Sequence, residues 1–356
     1  MPVPTAQAYQ AAAHEVMDRH LWDFVEGGAG DERAVLANVH AFDAVRLRPR
    51  VLTGCGEPST KTRILGRHWR TPIAVAPMAY HSAFDDGGEV STASGADRAG
   101  CPLVVSTFAG RRFADIAAAT TIAPWLQLYC FKDRSVTRHV IETAEAAGFE
   151  ALVLTVDTPR LGRRLRDERN GFRLPDGVLP ANLPPGDFSS PSEHSRTAFD
   201  PGLDWTVLDW LRSITALPVL VKGVLAAEDA ELAIKAGAAG VIVSNHGGRQ
   251  LDRAPATLDV LAEIAAAVDG RCPVLLDGGV RRGSDVLAAA ALGADAVLMG
   301  RPVLHALAAE GSEGVARLLG AVAEELADTM VLTGTASLSD ARPELVIGRR
   351  QPTIEL

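Results

Sequence analysis

A closed barrel of eight parallel strands alternating with helices, a (β/α)8 or TIM barrel, is the fold class this sequence predicts. Three observations carry the prediction: eight short apolar runs, helix-patterned segments between them, and polar residues at the carboxyl ends of most runs. The 356 residues, 47% apolar and 22% charged, are enough for a large core, and barrels of this class reach that length as one unit.

Ahead of the barrel, residues 14–27, 31–44 and 46–52 read as a helical stretch, within a cap of residues 1–70. Barrel strands are expected at 73–77, 103–107, 125–129, 151–157, 218–223, 240–245, 273–278 and 296–300, within 71–310. The runs are rich in Val, Ile and Leu and apolar on both faces, as parallel strands covered by helices must be. Helices are expected at 88–99, 136–147, 227–236, 257–268 and 283–292, where Ala and Leu recur at helical spacing; Gly237 and Gly293 supply stops. A doubly wound open sheet is the alternative, because short apolar strands do not reveal closure. The gap from Asp157 to Pro218 is about twice one strand-helix unit, so an insertion of about 170–205 follows the fourth strand. Its Leu183-Pro184-Pro185-Gly186-Asp187 and Ser189-Ser190-Pro191-Ser192 segments predict a mobile lid loop without long regular structure. A helix at 312–331 and a polar tail complete residues 311–356.

A net charge of −9 argues against a nucleic-acid partner, which needs clustered cations. Arginines do gather at Arg160, Arg163, Arg164, Arg166 and Arg169, where a solvated basic face competes with a functional role for one or two of them. The four cysteines lack metal-ligand spacing and read as buried free thiols, so no metal is expected. Free thiols, an N-terminus without signal-peptide pattern, and apolar runs too short to span a bilayer predict a cytoplasmic protein without membrane association.

In such barrels the catalytic groups sit at the strand carboxyl ends. Here those positions hold Ser106, Gln127, Tyr129, Thr155, Asp157, Lys222, Ser244, His246, Asp277 and Arg301. Lys222 follows Val219-Leu220-Val221, so its ammonium is expected inside the mouth, where desolvation calls for an anion. The stretch Ser244-Asn245-His246-Gly247-Gly248-Arg249-Gln250-Leu251-Asp252 joins a strand-end histidine to a glycine pair and an arginine. That combination suits proton transfer beside a bound carboxylate. Asp277-Gly278-Gly279-Val280-Arg281 and Met299-Gly300-Arg301-Pro302 follow the last two strands, where barrels often hold a phosphate.

Residues 244–252 resemble the signature of the FMN-dependent 2-hydroxy-acid oxidases and dehydrogenases, and the resemblance extends from about His20 to about Thr335. It implies FMN as cofactor, with Pro77, Met78, Ala79, Ser106, Gln127, Thr155, Lys222 and Ser244 around the isoalloxazine ring. Asp277, Gly279, Arg281, Gly300 and Arg301 would hold the ribityl chain and phosphate. Arg164 and Arg249 match the pair that clamps the substrate carboxylate, Tyr129 the group on its hydroxyl, His246 the base and Asp157 the partner of the histidinium.

Within this resemblance Phe24 stands where the family usually has a substrate-binding tyrosine; an unreplaced charge-assisted hydrogen bond is worth on the order of 1.5–3 kcal/mol. With Phe108 it points to an aryl substrate, and residues 76–80 are similar to hydroxymandelate oxidases. The expected reaction is oxidation of (S)-mandelate or 4-hydroxymandelate to the 2-keto acid, with O2 reduced to hydrogen peroxide. Ala79 and the lack of an apolar segment after the fourth strand favour O2 over a quinone or other acceptor. The family resemblance further implies a homo-oligomer, commonly a tetramer. Lactate or glycolate oxidation, an FMN-dependent isopentenyl diphosphate isomerase and a non-catalytic flavin barrel are the competing readings.

Overall fold

The computed structural model describes residues 3–188 and 190–348, with only the backbone of Ser192 and Glu193. Parts of the expected insertion and tail, Ser189 and residues 349–356, lie outside the described residues.

Eight strands form one parallel sheet: β1 (Ile73–Val75), β2 (Val104–Val105), β3 (Trp125–Leu128), β4 (Ala151–Thr155), β5 (Val219–Val224), β6 (Gly240–Val243), β7 (Val274–Asp277) and β8 (Ala296–Met299). Each lies beside its neighbour in sequence, β8 pairs with β1, and Val75 bridges Leu103 just ahead of β2. The sheet is thereby a ring, which decides against the open-sheet alternative. Between the strands lie the five expected helices, at Glu89–Ala99, Arg134–Ala146, Ala227–Lys235, Thr257–Val268 and Gly283–Ala291.

Strand alternation sorts the core into two parts. Ala74, Val104, Trp125, Val153, Leu220, Ile242, Leu275 and Leu298 pack together in the lumen, while Ile73, Leu126, Leu152, Val221 and Leu276 pack outward among the helices. A hairpin of Thr62–Ile64 and Arg67–Trp69 closes the amino-terminal end of the barrel, adding Ile64 and Trp69 to the lumen cluster. Two residues beyond each lumen side chain the same face turns polar or small: Ala76, Ser106, Gln127, Thr155, Lys222, Ser244, Asp277 and Gly300. Period-2 geometry therefore makes these eight one layer, the ceiling of the apolar core and the floor of the mouth.

Outside the barrel the elements differ from expectation in four places. The 14–27 stretch is two helices, Ala6–Val16 and Arg19–Glu26, because Met17 is extended and the Asp18 carboxylate accepts the His20 amide at 2.8 Å as a new N-cap. Residues 46–52 are not helical; Arg46–Leu47 pairs with Val346–Ile347, and Pro49 is ill suited to a helix interior. The C-terminal helix begins at Arg301 and runs to Thr333, with a break at Glu310 and Gly311. In the insertion, Pro191–Ala198 is a helix with proline in the favoured first position, where composition predicted irregular loop. The four thiols are free, but only Cys101 and Cys130 are buried; Cys55 and Cys272 are half-buried. Burial pushes Cys101 up to about 12 and Cys130 to about 11, so both stay protonated.

Candidate active site

An open cavity of about 1280 Å³, counting its solvent-filled mouth, sits above the polar layer. Its floor includes Ser106, Gln127, Thr155, Lys222, Asp277 and Gly300, with Pro77, Met78 and Ala79 on the loop after β1. The floor groups interlock: Ser106 Oγ donates to Gln127 Oε1 at 3.3 Å and Gln127 Nε2 to Thr155 Oγ1 at 3.1 Å. Lys222 Nζ lies 3.1 Å from Asp277 Oδ2 and donates to Ser244 Oγ at 2.9 Å. Burial alone would lower the lysine pKa, but Asp277 and Asp157 outweigh it, so Lys222 stays charged.

His246 opens the turn after β6 in the left-handed region, at φ 56°. Its amide receives Ser244 Oγ as acceptor at 3.1 Å, and its Nδ1 lies 2.9 Å from Asp157 Oδ1. Tyr129 Oη is 3.5 Å from Nε2, on the cavity side. Burial lowers the imidazole pKa against the pull of Asp157, so the ring is a neutral base whose Nδ1–H donates to the carboxylate. Burial would raise Asp157, yet His246 and Lys222 bring it below its ordinary value. Tyr129 moves up through burial and the nearby Asp157, keeping its phenol protonated.

The turn leaves room for nothing larger than glycine at position 248, where φ is 78° and a Cβ would meet Val35 N at 2.5 Å. Asn245 fastens the same turn to the helix Arg33–Asp43 by reciprocal 2.8 Å bonds with Asn38. Asp252 accepts the amides of Asp31 and Arg33 at 2.9 and 2.6 Å, and Gln250 donates to the carbonyls of Asp157 and Arg160. Asn38, Gln250 and Asp252 thus position the site. Asp252 and Gln250 stand inside the motif; Asn38 carries no sequence signal.

Of the clustered arginines only Arg164 is buried and lines the cavity, whereas Arg163 pairs with Glu168, Arg166 with Asp23 and Glu32, and Arg160 and Arg169 are exposed. Arg249 lies 5.3 Å over the Phe24 ring, which stacks at 4.4 Å on Phe172. Phe24 thus meets Arg249 through a cation–π contact. Burial and the neighbouring Arg164 and Arg301 hold Arg249 well below the ordinary range, and burial also lowers Arg164. These crowded cations call for an anion.

Such an anion site continues towards β7 and β8, where Gly279, Arg281, Gly300 and Arg301 line the cavity. Gly279 has φ 92° and lies against the Asn38 carbonyl, which a Cβ would meet at 2.2 Å. Arg301 reaches the carbonyls of Val25 and Gly247 at 2.8 and 3.0 Å, and Arg281 that of Val280 at 3.0 Å. Among the described residues, buried polar atoms left without a hydrogen-bond partner include Asp277 Oδ1, Asp157 Oδ2 and Arg164 Nε. The polar floor with its charged Lys222, and the arginines beyond β7 and β8, fit a flavin with a phosphate. Every sequence-predicted site residue borders the cavity except Asp157 and Ser244, which stand behind His246 and Lys222. The sequence reading took in Tyr80 only as part of the segment 76–80, and it missed Pro191 and Ser195 on the insertion helix and Phe199 just beyond it. Phe199 stacks on Tyr129 at 4.4 Å, and Phe108 lies 5.9 Å from each ring, so the upper wall is aromatic.

Residues 13–348 match the FMN-dependent dehydrogenase family. The sequence is similar to 4-hydroxymandelate oxidase of Amycolatopsis orientalis, 45% identical over 341 residues covering 94% of this chain and 95% of that protein. A peroxisomal (S)-2-hydroxyacid oxidase of Arabidopsis thaliana is 43% identical over 337 residues, 93% of each chain. Among solved structures, mandelate oxidase superposes with a TM-score of 0.92 at 45% identity, covering 98% of each chain.

Proposed function

Because this chain belongs to the FMN-dependent dehydrogenase family, we propose that it oxidises an aryl (S)-2-hydroxy acid, mandelate or 4-hydroxymandelate, to the corresponding 2-keto acid. One observation carries the reading: a neutral His246 backed by Asp157 faces a cavity whose remaining walls combine Arg164 and Arg249 with Phe24, Phe108 and Phe199. The chemistry FMN would supply is two-electron redox, with the pair lost by the substrate returned, together with two protons, to dioxygen as hydrogen peroxide. Gln127, Thr155, Lys222 and Ser244, with residues 77–79, would hold the ring; Asp277, Gly279, Arg281, Gly300 and Arg301 would hold the ribityl phosphate.

On this reading Arg164 and Arg249 clamp the substrate carboxylate, a charge-assisted pairing that also relieves their mutual repulsion. Tyr129, protonated by virtue of its burial, donates to the substrate oxygen. His246 Nε2 accepts the proton the substrate gives up, and Asp157 stabilises the imidazolium so formed. Lys222, held charged by Asp277, favours negative charge over the floor. On this reading aromatic rings predominate around the substrate's remaining substituent, which supports an aryl group. Among the described residues no helix is long and apolar enough to cross a membrane, and the free thiols support a cytoplasmic setting.

Anaerobic mixing of the yellow protein with a panel of 2-hydroxy acids tests the proposal. Mandelates should bleach the flavin and air restore it, while His246→Gln keeps its flavin and bleaches with none of them. Faster bleaching by glycolate or lactate would show the aryl assignment wrong, and a purified protein without flavin absorbance would sink the activity itself.

A further inference from the structure

Tyr80 is a second buried phenol in this cavity, and no step above uses it. The residue lines the cavity at 2% exposure, with its ring 5.8 Å from Phe108. Its hydroxyl has no hydrogen-bond partner among the described residues, although buried tyrosine hydroxyls normally find one. The backbone there is costly: Tyr80 sits at φ 60°, a region that bulky side chains avoid, and its amide donates to the Phe108 carbonyl at 3.2 Å. Strain maintained to present an unpartnered polar atom to a cavity is a mark of ligand recognition. Burial raises the phenol's pKa, with Tyr129 close enough to add to the shift, so the group is a neutral donor and acceptor.

What it recognises follows from what else the cavity supplies. Arg164 and Arg249 are matched to the carboxylate, and Tyr129 and His246 to the reacting carbon and its oxygen. Tyr80 packs at 5.8 Å against Phe108 and shares the cavity lining with Phe24 and Phe199, the aromatic surface that suits an aryl ring, so its neutral phenol is matched to a polar substituent on that ring. We infer that Tyr80 is a specificity-determining residue that hydrogen-bonds a hydroxyl on the substrate's aromatic ring, favouring a 4-hydroxymandelate-type acid over mandelate. The inference rests on the aryl 2-hydroxy-acid reading above and narrows it.

The test is a comparison of wild-type holoenzyme, Tyr80→Phe and Ser195→Ala with mandelate and 4-hydroxymandelate, following anaerobic flavin bleaching over a range of acid concentrations. Wild type should prefer 4-hydroxymandelate. Tyr80→Phe, which keeps the ring, should lose roughly 10- to 100-fold in kcat/KM for 4-hydroxymandelate and change by less than about twofold for mandelate. The loss should appear in substrate affinity rather than in the limiting bleaching rate. Ser195, on the insertion helix with its hydroxyl 2.8 Å from the Pro191 carbonyl, should leave the ratio of the two acids unchanged. Equal losses for both acids in Tyr80→Phe, or a ratio moved by Ser195→Ala instead, would overturn the role of Tyr80 and leave the aryl reading standing. Wild-type flavin bleached by lactate or glycolate but by neither mandelate would overturn both.

Discussion

The imidazole of His246 is asked to be a base, and its surroundings set the pH at which it stops being one. Burial depresses its pKa below the ordinary histidine value, the more so through Lys222 and Arg164, while Asp157 pulls the other way. A lowered pKa keeps the neutral form present further into acid. The acid limb of kcat/KM for the free enzyme is therefore expected below pH ~6.5, the ordinary histidine value. Asp157→Asn removes the carboxylate whose charge and hydrogen bond raise the histidine pKa, so the limb should move to still lower pH. The rate should also fall on the order of 10²–10⁴-fold, because the imidazolium loses its stabilising partner and the tautomer its anchor. A steady-state pH profile of both proteins checks this; a limb that moves to higher pH would contradict the assignment. At this scale the sequence was readable wherever a polar residue ended an apolar run, as Lys222 and Asp277 do. Asn38 was not readable, since it is a helix residue whose importance lies in contacts far along the chain, and Tyr80 was readable only as part of the segment 76–80, without a role of its own.

Among the elements, the eight strands were legible because each is apolar on both faces and bounded by breakers, and strand alternation then set which polar residue reaches the floor. The insertion was legible only as an excess of length. Its helix at Pro191–Ala198 has few apolar residues to mark a face, and Phe199 gains its role from stacking on Tyr129, a contact 70 residues back along the chain. The turn after β6 shows how tightly one element depends on another. Gly248 packs against the start of the helix Arg33–Asp43, so Gly248→Ala brings a Cβ to 2.5 Å from Val35 N and places alanine at φ 78°. Val35 N is backbone, as is Ala34 C at 2.9 Å, so the turn and helix must part. A loss of about 1–3 kcal/mol in stability is expected, together with a fall in kcat/KM as His246 shifts away from Asp157. Denaturant unfolding and steady-state kinetics on one preparation would measure the two effects; a variant with wild-type values in both would show the turn to be tolerant.

For the whole molecule, the charge distribution ties cofactor to stability. The chain carries a net charge of −9, yet among the described residues five cationic side chains and one carboxylate line the cavity: Arg164, Lys222, Arg249, Arg281 and Arg301 against Asp277. Glu26 adds a negative charge close by. Burial would raise its carboxyl, but a 3.0 Å bond to His305 and the charges of Arg301 and Arg281 take it down to about 2. Asp167 likewise draws on Arg164 and Arg249, yet burial still holds all four cavity arginines below their ordinary range, so desolvated like charges oppose the folded mouth. The cofactor phosphate and the substrate carboxylate are the anions that resolve this. Removing FMN should therefore destabilise the mouth first, while the lumen cluster below the polar layer is untouched. Restoring FMN at about 100 times its Kd should add about 2.7 kcal/mol of stability. Hydrogen exchange compared between FMN-loaded and FMN-stripped protein should show faster exchange in Arg19–Glu26 and in residues 246–252 of the stripped form, with strands β3 to β8 unchanged. Inorganic phosphate added to the stripped protein should recover part of the protection near Arg281 and Arg301 and little near Arg164 and Arg249, where the substrate carboxylate belongs. Uniform loss of protection through the strands would mean instead that the barrel and its mouth unfold as one unit.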